Sequence, residues 1–290
     1  MPVLTPEILA AVDGLKTAWA ANPSVPLILT YHDIAVGSTS NYAVTPAQFA
    51  EQMATIDALG AHTLTATEFA DYVRGKAVPP RSILITLDDG TRGVWRYADS
   101  ILAQHKFHAL SAIVTGFVGT RKPYYMTWDE ISRLDQNGRW DFEDHTDSAH
   151  LNIVINAVGD QGSFLSNLAW LSADNRLETL LEYQVRVSAD LDRSIVELKS
   201  RGLGRGGLFA FPFSDYGTTG NDPAIANLLV TMVKARFTAV FNDDARPRPL
   251  NGPFQFNRLG VTAKTTPLSM VEGLRAVLDL SNPKTASTTG

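Results

Sequence analysis

The chain has 290 residues, 44% of them hydrophobic, a formal net charge of −5 and no cysteine. That is enough apolar material for one large α/β domain. The acidic balance excludes a typical nucleic-acid binder, and the lack of cysteine excludes a disulfide framework. No apolar run reaches the roughly 18–20 residues needed to cross a bilayer, and the first residues lack the basic stretch and apolar core of a secretion signal.

Pro26 to Thr30 reads as a strand running into Tyr31 and His32. Thr45 caps a helix that has Pro46 at its first position and ends at Gly60. Thr65 and Glu68 form a capping box for a short helix ending near Gly75. Ser82 to Leu87 is a β-branched apolar run, a buried strand that stops at Asp88-Asp89-Gly90. A helix from about Val94 to His105 and a strand from Ala109 to Thr115 follow. A second capping box, Thr127 with Glu130, opens a helix that stops at Asn137-Gly138. Arg139 to Glu143 is a strand running into His145. Residues 151–173 have mixed periodicity and read as an insertion. A long helix is predicted over Asn175 to Ser200, where leucines recur at near-helical spacing. Leu208 to Phe213, Phe237 to Asn242 and Phe256 to Val261 are strands, Pro223 opens a helix between the first two, and Pro267 begins a terminal helix. Strands alternating with helices predict parallel pairing through helical crossovers. The pattern alone leaves a barrel and an open doubly wound sheet as alternatives.

Asp88 and Asp89 carry the chemistry. Two adjacent carboxylates at a buried strand end repel each other unless a cation or a shared proton compensates. With six histidines and no cysteine, a transition-metal site here must use His and carboxylate. His145 and His150 form the densest pair, and their separation of five fits a reversing loop rather than one helix face. One Asp and two His fill three positions on Zn²⁺ and leave one open for water; Ni²⁺ and Co²⁺ are the alternatives. The ordinary readings stand beside this one. Asp-Asp-Gly also serves as a helix-capping turn, and single histidines are more often structural. His62, His105 and His108 carry no motif and read as structural. His32 either lines the cleft or is a half-buried strand-end residue. Trp128 and Trp140 either stack on a ligand or pack in the core. Asp144 and Asp147 read as supports of the histidine site or as turn residues. Asp243 and Asp244 end a strand, facing the cleft or simply closing the element.

Thr86-Leu-Asp-Asp-Gly90 resembles the T-F-D-D-G motif of the polysaccharide deacetylases, the NodB-homology domains of the family-4 carbohydrate esterases. His145-Thr146 to His150 is similar to their H-[ST]-x-x-H motif with one extra residue. That spacing resembles the branch acting on poly-β-1,6-N-acetylglucosamine of biofilms. Phe209 to Gly217 is similar to the third motif, and Leu29-Thr-Tyr-His-Asp33 to the L-x-Y-H-x-[IV] strand of that branch. The four occur in the family's order over residues 26–262. The resemblance implies a distorted (β/α)7 barrel and metal-dependent hydrolysis of acetyl groups, chiefly N-acetyl, on a cell-surface or biofilm polysaccharide. By motif, Asp89, His145 and His150 would be metal ligands and Asp88 the general base. Backbone N–H groups near Phe213 would stabilise the oxyanion, and Phe213, Tyr216 and His32 would contact substrate. It further implies an extracytoplasmic location. On this reading residues 1–280 are one deacetylase domain of a larger parent protein, and residues 281–290 are a flexible tail or linker.

Two of the family's groups are missing from their motifs. Leu208, Phe209 and Ala210 stand where the third motif begins with the arginine that holds the base. No histidine follows His150 to serve as the late general acid. The expectation is therefore easy hydrolysis of activated acetyl esters and weak hydrolysis of amides, unless Asp243 or Asp244 replaces the acid. Two other functions compete: a carbohydrate-binding module on a barrel that has lost activity, and an esterase for O-acetyl groups.

Overall fold

The computed structural model describes residues 2–244, 246 and 252–281. Seven strands form the centre: β1 (Leu27–Tyr31), β2 (Ser82–Leu87), β3 (Ala109–Ile113), β4 (Trp140–Asp144), β5 (Leu208–Ala210), β6 (Ala239–Asp244) and β7 (Gln255–Gly260). Each pairs in parallel with the next, and β1 pairs with both β2 and β7, so the ring closes. The structure thus selects the barrel over the open sheet. A short strand, His62–Thr63, adds to the start of β2 outside the ring.

Closure leaves no strand face in water, which explains why these strands read as continuous apolar runs. Ile28, Leu84, Leu110, Leu208, Ala239, Phe241 and Phe256 fill the barrel interior. Their neighbours along the strands, such as Leu29, Ile83 and Ile85, pack outward in a different cluster. Helix α3 (Ala66–Val73) presses Phe69 and Ala70 into the interior cluster, and Asp141 near the start of β4 accepts the N–H of Ala66 at 2.7 Å. The N-terminal mouth of the barrel is thereby closed, and only the C-terminal rim is free to hold a site.

The ring is irregular at one seam. Strands β4 and β5 share a single register pair, Phe209 with Asp144. The buried carboxylate of Glu143 accepts the N–H groups of Gly206 and Leu208 at 2.7 and 2.9 Å, replacing ladder bonds that the strands do not make. This is the distortion that the resemblance implied.

The outer helices are α1 (Pro6–Ala20), α2 (Pro46–Ala58), α4 (Asp99–His105), α5 (Trp128–Gln136), α6 (Leu180–Ser200), α7 (Ile225–Lys234) and α8 (Pro267–Leu280). The cap at Thr45 and the capping boxes at Thr65 and Thr127 form as the sequence predicts, and Gln48 completes a capping box at Thr45 as well. Four readings are corrected. Helix α1 was not foreseen; Thr5 caps it and it packs Val12, Leu15 and Trp19 into the outer core. Helix α6 starts at Leu180 rather than Asn175, because Arg176–Leu177 pairs with Trp170–Leu171 and Thr179 with Glu182 forms the real capping box. The inserted segment holds a second hairpin, Asn152–Val154 with Gln161–Ser163. The helix at Val94 opens with one π-helical turn over Val94–Ala98 before α4. Residues 282–290, most of the supposed tail, lie outside the described residues.

Candidate active site

Strand β2 delivers Asp88 and Asp89 to the rim. Consecutive strand residues normally point to opposite faces. Here Asp89 has φ 72° and Gly90 has φ 73°, so two successive left-handed residues fold both carboxylates into one cleft. A left-handed conformation costs a non-glycine residue about 1 kcal/mol or more. Gly90 is required as well, since a Cβ there would meet Ile113 at 3.0 Å.

His145 follows the last residue of β4, and His150 returns from a loop in which Thr146 takes φ 78°. Their Nε2 atoms lie 3.4 and 3.2 Å from Asp89 Oδ1. That oxygen is shut from solvent and has no aligned hydrogen-bond donor. A tetrahedral ion with ligand bonds of about 2.0–2.1 Å has ligand–ligand edges of about 3.3 Å, so both Asp–His edges already stand at the separation such an ion requires, and all three ligand atoms lie within 4.8 Å of one another. His145 Nδ1–H donates to the carbonyl of Ala210 at 2.8 Å. With Nδ1 engaged, Nε2 presents its lone pair to the same point. Burial pushes Asp89 towards protonation, but when the two imidazoles are protonated their hydrogen bonding and charge outweigh it and hold the carboxyl well below its usual range. The donor set fits one divalent transition metal.

Beside it stands a second cluster, His32, Asp88 and Asp243. Its cation belongs to the protein. Arg258, from the inward face of β7, donates from Nη1 to Asp88 Oδ1 at 2.9 Å and from Nη2 to Asp88 Oδ2 at 2.5 Å. The same guanidinium contacts Asp243 and, at 3.1 Å, Thr86 Oγ1. Burial raises the affinity of Asp88 for a proton, yet the charge of Arg258, helped by His145 and His32, brings its pKa below the ordinary carboxylate value. An arginine, absent from the third motif, thus reaches Asp88 from β7. His32 stands at the end of β1 with Nε2 3.6 Å from Asp243 Oδ2. The cleft thus contains a histidine outside the Asp89, His145 and His150 group, although none follows His150 in the sequence. A signal for Arg258 was present: an arginine alternating with apolar Phe256 in a buried strand needs an acidic partner.

Both clusters line one cleft of about 520 Å³. Phe213 lies on its edge with φ 57°, half exposed, its ring 4.4 Å from that of His150. Tyr42 and Tyr124, which sequence reasoning missed, are exposed aromatic residues on the same cleft. Tyr216 is not on it; its ring packs on Phe211 in the cluster beneath α6 and α7. Asp243 lines the cleft and Asp244 does not. Asp144 and Asp147 face away, into hydrogen bonds with Ser194 and Thr115. Trp140 is buried with its Nε1–H on Asp99, and Trp128 lies under Arg201. His62, His105 and His108 pair with Glu68, Asp57 and Asp141.

Comparison with known proteins agrees with this fold. The family profile described as "Polysaccharide deacetylase" matches residues 75–227, just over half the chain. The poly-β-1,6-N-acetyl-D-glucosamine N-deacetylase of Staphylococcus aureus (strain MSSA476) is 32% identical over 113 residues, 38% of this chain and 39% of that protein. The same enzyme of Staphylococcus epidermidis is 30% identical over a stretch of equal length. These matches span about two fifths of the curated relatives. Among solved structures, a de-N-acetylase from Aggregatibacter actinomycetemcomitans superposes with a TM-score of 0.72 at 18% identity, covering 86% of this chain and 99% of that one. IcaB from Ammonifex degensii gives 0.64 at 24% identity, covering 86% and 97%. The barrel is thus the fold of these deacetylases, and by the family match this chain belongs to the polysaccharide deacetylases.

Proposed function

We propose that the chain is a metal-dependent N-deacetylase that hydrolyses the acetamido groups of poly-β-1,6-N-acetylglucosamine or a closely similar glycan outside the cytoplasm. The observation that carries this reading is the union of three groups in one cleft: the Asp89–His145–His150 triad, Asp88 held ionised by Arg258, and His32 beside Asp243. The likeness to the staphylococcal enzymes supports the choice of glycan.

Asp89, His145 and His150 would hold the ion, Zn²⁺ being the first choice. Such an ion polarises the acetyl carbonyl and acidifies a water. Asp88 takes the proton of the attacking water as the new C–O bond forms. The charge of Arg258 keeps Asp88 ionised, and its two hydrogen bonds fix the carboxylate plane. The backbone N–H of Phe213 is the candidate donor to the oxyanion, since those of Ser214 and Asp215 are spent on Phe211 and Pro212. When the C–N bond breaks, the leaving nitrogen takes its proton from His32, whose imidazole Asp243 orients. Acetate and a free amine result. Base and acid are each worth about 10²–10⁴ in rate, or roughly 3–5 kcal/mol. The reading of His32 as acid replaces the expectation that the acid is absent. Tyr42, Tyr124 and Phe213 offer faces for sugar rings.

The test is acetate release from β-1,6-N-acetylglucosamine oligomers and from an activated acetyl ester, with and without chelator. The proposal requires chelator-sensitive release from the oligomers. Release from the ester alone would favour an O-acetyl esterase, and no release from either a binding module.

A further inference from the structure

The loop between the two histidines is anchored from outside itself. Asp190 lies on the inward face of α6 and is fully buried. Its Oδ1 accepts the N–H of Asp147 at 3.1 Å and its Oδ2 that of Ser148 at 2.9 Å. Two consecutive backbone N–H groups converge on one anion because Thr146, just before them, is left-handed, an arrangement that forms an anion-binding concavity. From the opposite side, the turn after β3 takes the rest of the loop. Thr115 Oγ1 donates to Asp147 Oδ1 at 2.9 Å, and the Gly116 N–H donates to the carbonyl of Asp147 at 2.8 Å. Gly116 has no room for a side chain, since a Cβ would meet that carbonyl oxygen at 2.6 Å.

Burying a carboxylate in a helix–barrel interface is costly, and its nearest cationic group, Arg193, is 3.4 Å away on a half-exposed side chain. The carboxylate offsets part of that cost by accepting two backbone N–H groups that an apolar residue would leave without a partner. The two histidines differ in how they are held. His145 is fixed by its own hydrogen bond to Ala210. His150 has ring contacts with Phe213 and His145, and its backbone position is set by the loop. We infer that Asp190, assisted by Thr115, is a positioning residue that sets the loop so that His150 reaches the metal. The inference rests on the metal reading of the triad and extends it to residues that touch neither metal nor substrate.

The experiment measures Zn²⁺ and Co²⁺ dissociation constants by competition with a chromophoric chelator, together with the visible spectrum of the Co²⁺ form. The proteins are wild type, Asp190→Asn and Thr115→Val. In Asp190→Asn one N–H faces the amide NH₂ group instead of an acceptor. Its affinity should fall about 10–100-fold, with an altered Co²⁺ spectrum, while Thr115→Val should show a smaller loss in the same direction. A structural role alone would lower the melting temperature of the metal-free protein and leave the dissociation constants of the folded variants unchanged. If Asp190→Asn does not fold, Thr115→Val decides. Affinity within about twofold of wild type in the variants that fold overturns the inference. Failure of wild type itself to bind either ion overturns the metal reading instead, so the two failures are distinguishable.

Discussion

Arg258 grips both carboxylate oxygens of Asp88 across 170 positions of sequence, with its Nη1 and Nη2 atoms on separate oxygens. Both side chains are essentially without solvent exposure. The planar fork fixes the direction of the carboxylate as well as its charge, which a point charge does not do.

Arg258→Lys should therefore retain the metal and lose activity by roughly ten- to a hundredfold, since it keeps the charge but not the fork. Arg258→Gln leaves Asp88 and Asp243 without a cation and should lower unfolding free energy by about 3–5 kcal/mol. Denaturant titration of both variants at fixed metal concentration measures this. Equal stability of Arg258→Gln and wild type would contradict the account.

Asp88→Asn should bind metal as wild type does and lose about 10²–10⁴ in kcat, because an amide cannot take the proton. Elemental analysis beside kinetics checks it. A variant that loses the metal would show that Asp88 and Asp89 have exchanged roles.

His32→Gln should separate the two substrate types. Release of an amine needs the proton, so turnover of the glycan amide should fall about 10²–10⁴-fold. A phenolate leaves unaided, and activated ester hydrolysis should change by less than about tenfold. Asp243→Asn should show the same selectivity to a smaller degree. Equal losses on both substrates would assign His32 to binding rather than proton transfer.

Metal removal should lower stability as well as activity. At a free metal concentration of 100 times the dissociation constant, binding contributes about 2.7 kcal/mol. Chelator should lower the melting temperature of wild type and leave that of the His145→Ala, His150→Ala double variant unchanged.

Asp141 supplies a pH test away from the site. Burial pushes its pKa up, but His108 and the N–H of Ala66 outweigh this and leave it below the usual carboxylate value. A depressed folded-state pKa gives stability that is present above the unfolded-state value of about 3.9 and is lost as pH falls through the folded-state value. The stability gap between wild type and Asp141→Asn should accordingly be full at pH 5–6 and shrink on acidification below about 4. Denaturant midpoints across that range measure it.

The sequence by itself determined the elements whose signals are local. Apolar runs placed the barrel strands, and the cap at Thr45 with the capping boxes at Thr65 and Thr127 placed helix starts, because a cap needs only residues a few positions apart. The Asp-Asp-Gly turn and the histidine pair were legible for the same reason: each is a local pattern on one turn or one loop. The start of α6 was misread because Arg176–Leu177 has helical spacing but is held by a strand partner. Helix α1 went unread because its burial depends on α8, at the other end of the chain.

Only the tertiary structure decided how charges from distant strands meet. Barrel closure brings β7 beside β1, one strand from β2, so Arg258 reaches Asp88 across the interior, and Asp243 reaches both Arg258 and His32. Motif reading looks for a holding arginine and an acidic proton donor at set places along the chain, and on that basis both were missing here. A buried carboxylate requires a cation within a few ångströms but sets no condition on its position in the sequence. The physical requirement was readable, while the residue that meets it is chosen by which strand ends the closed ring makes neighbours.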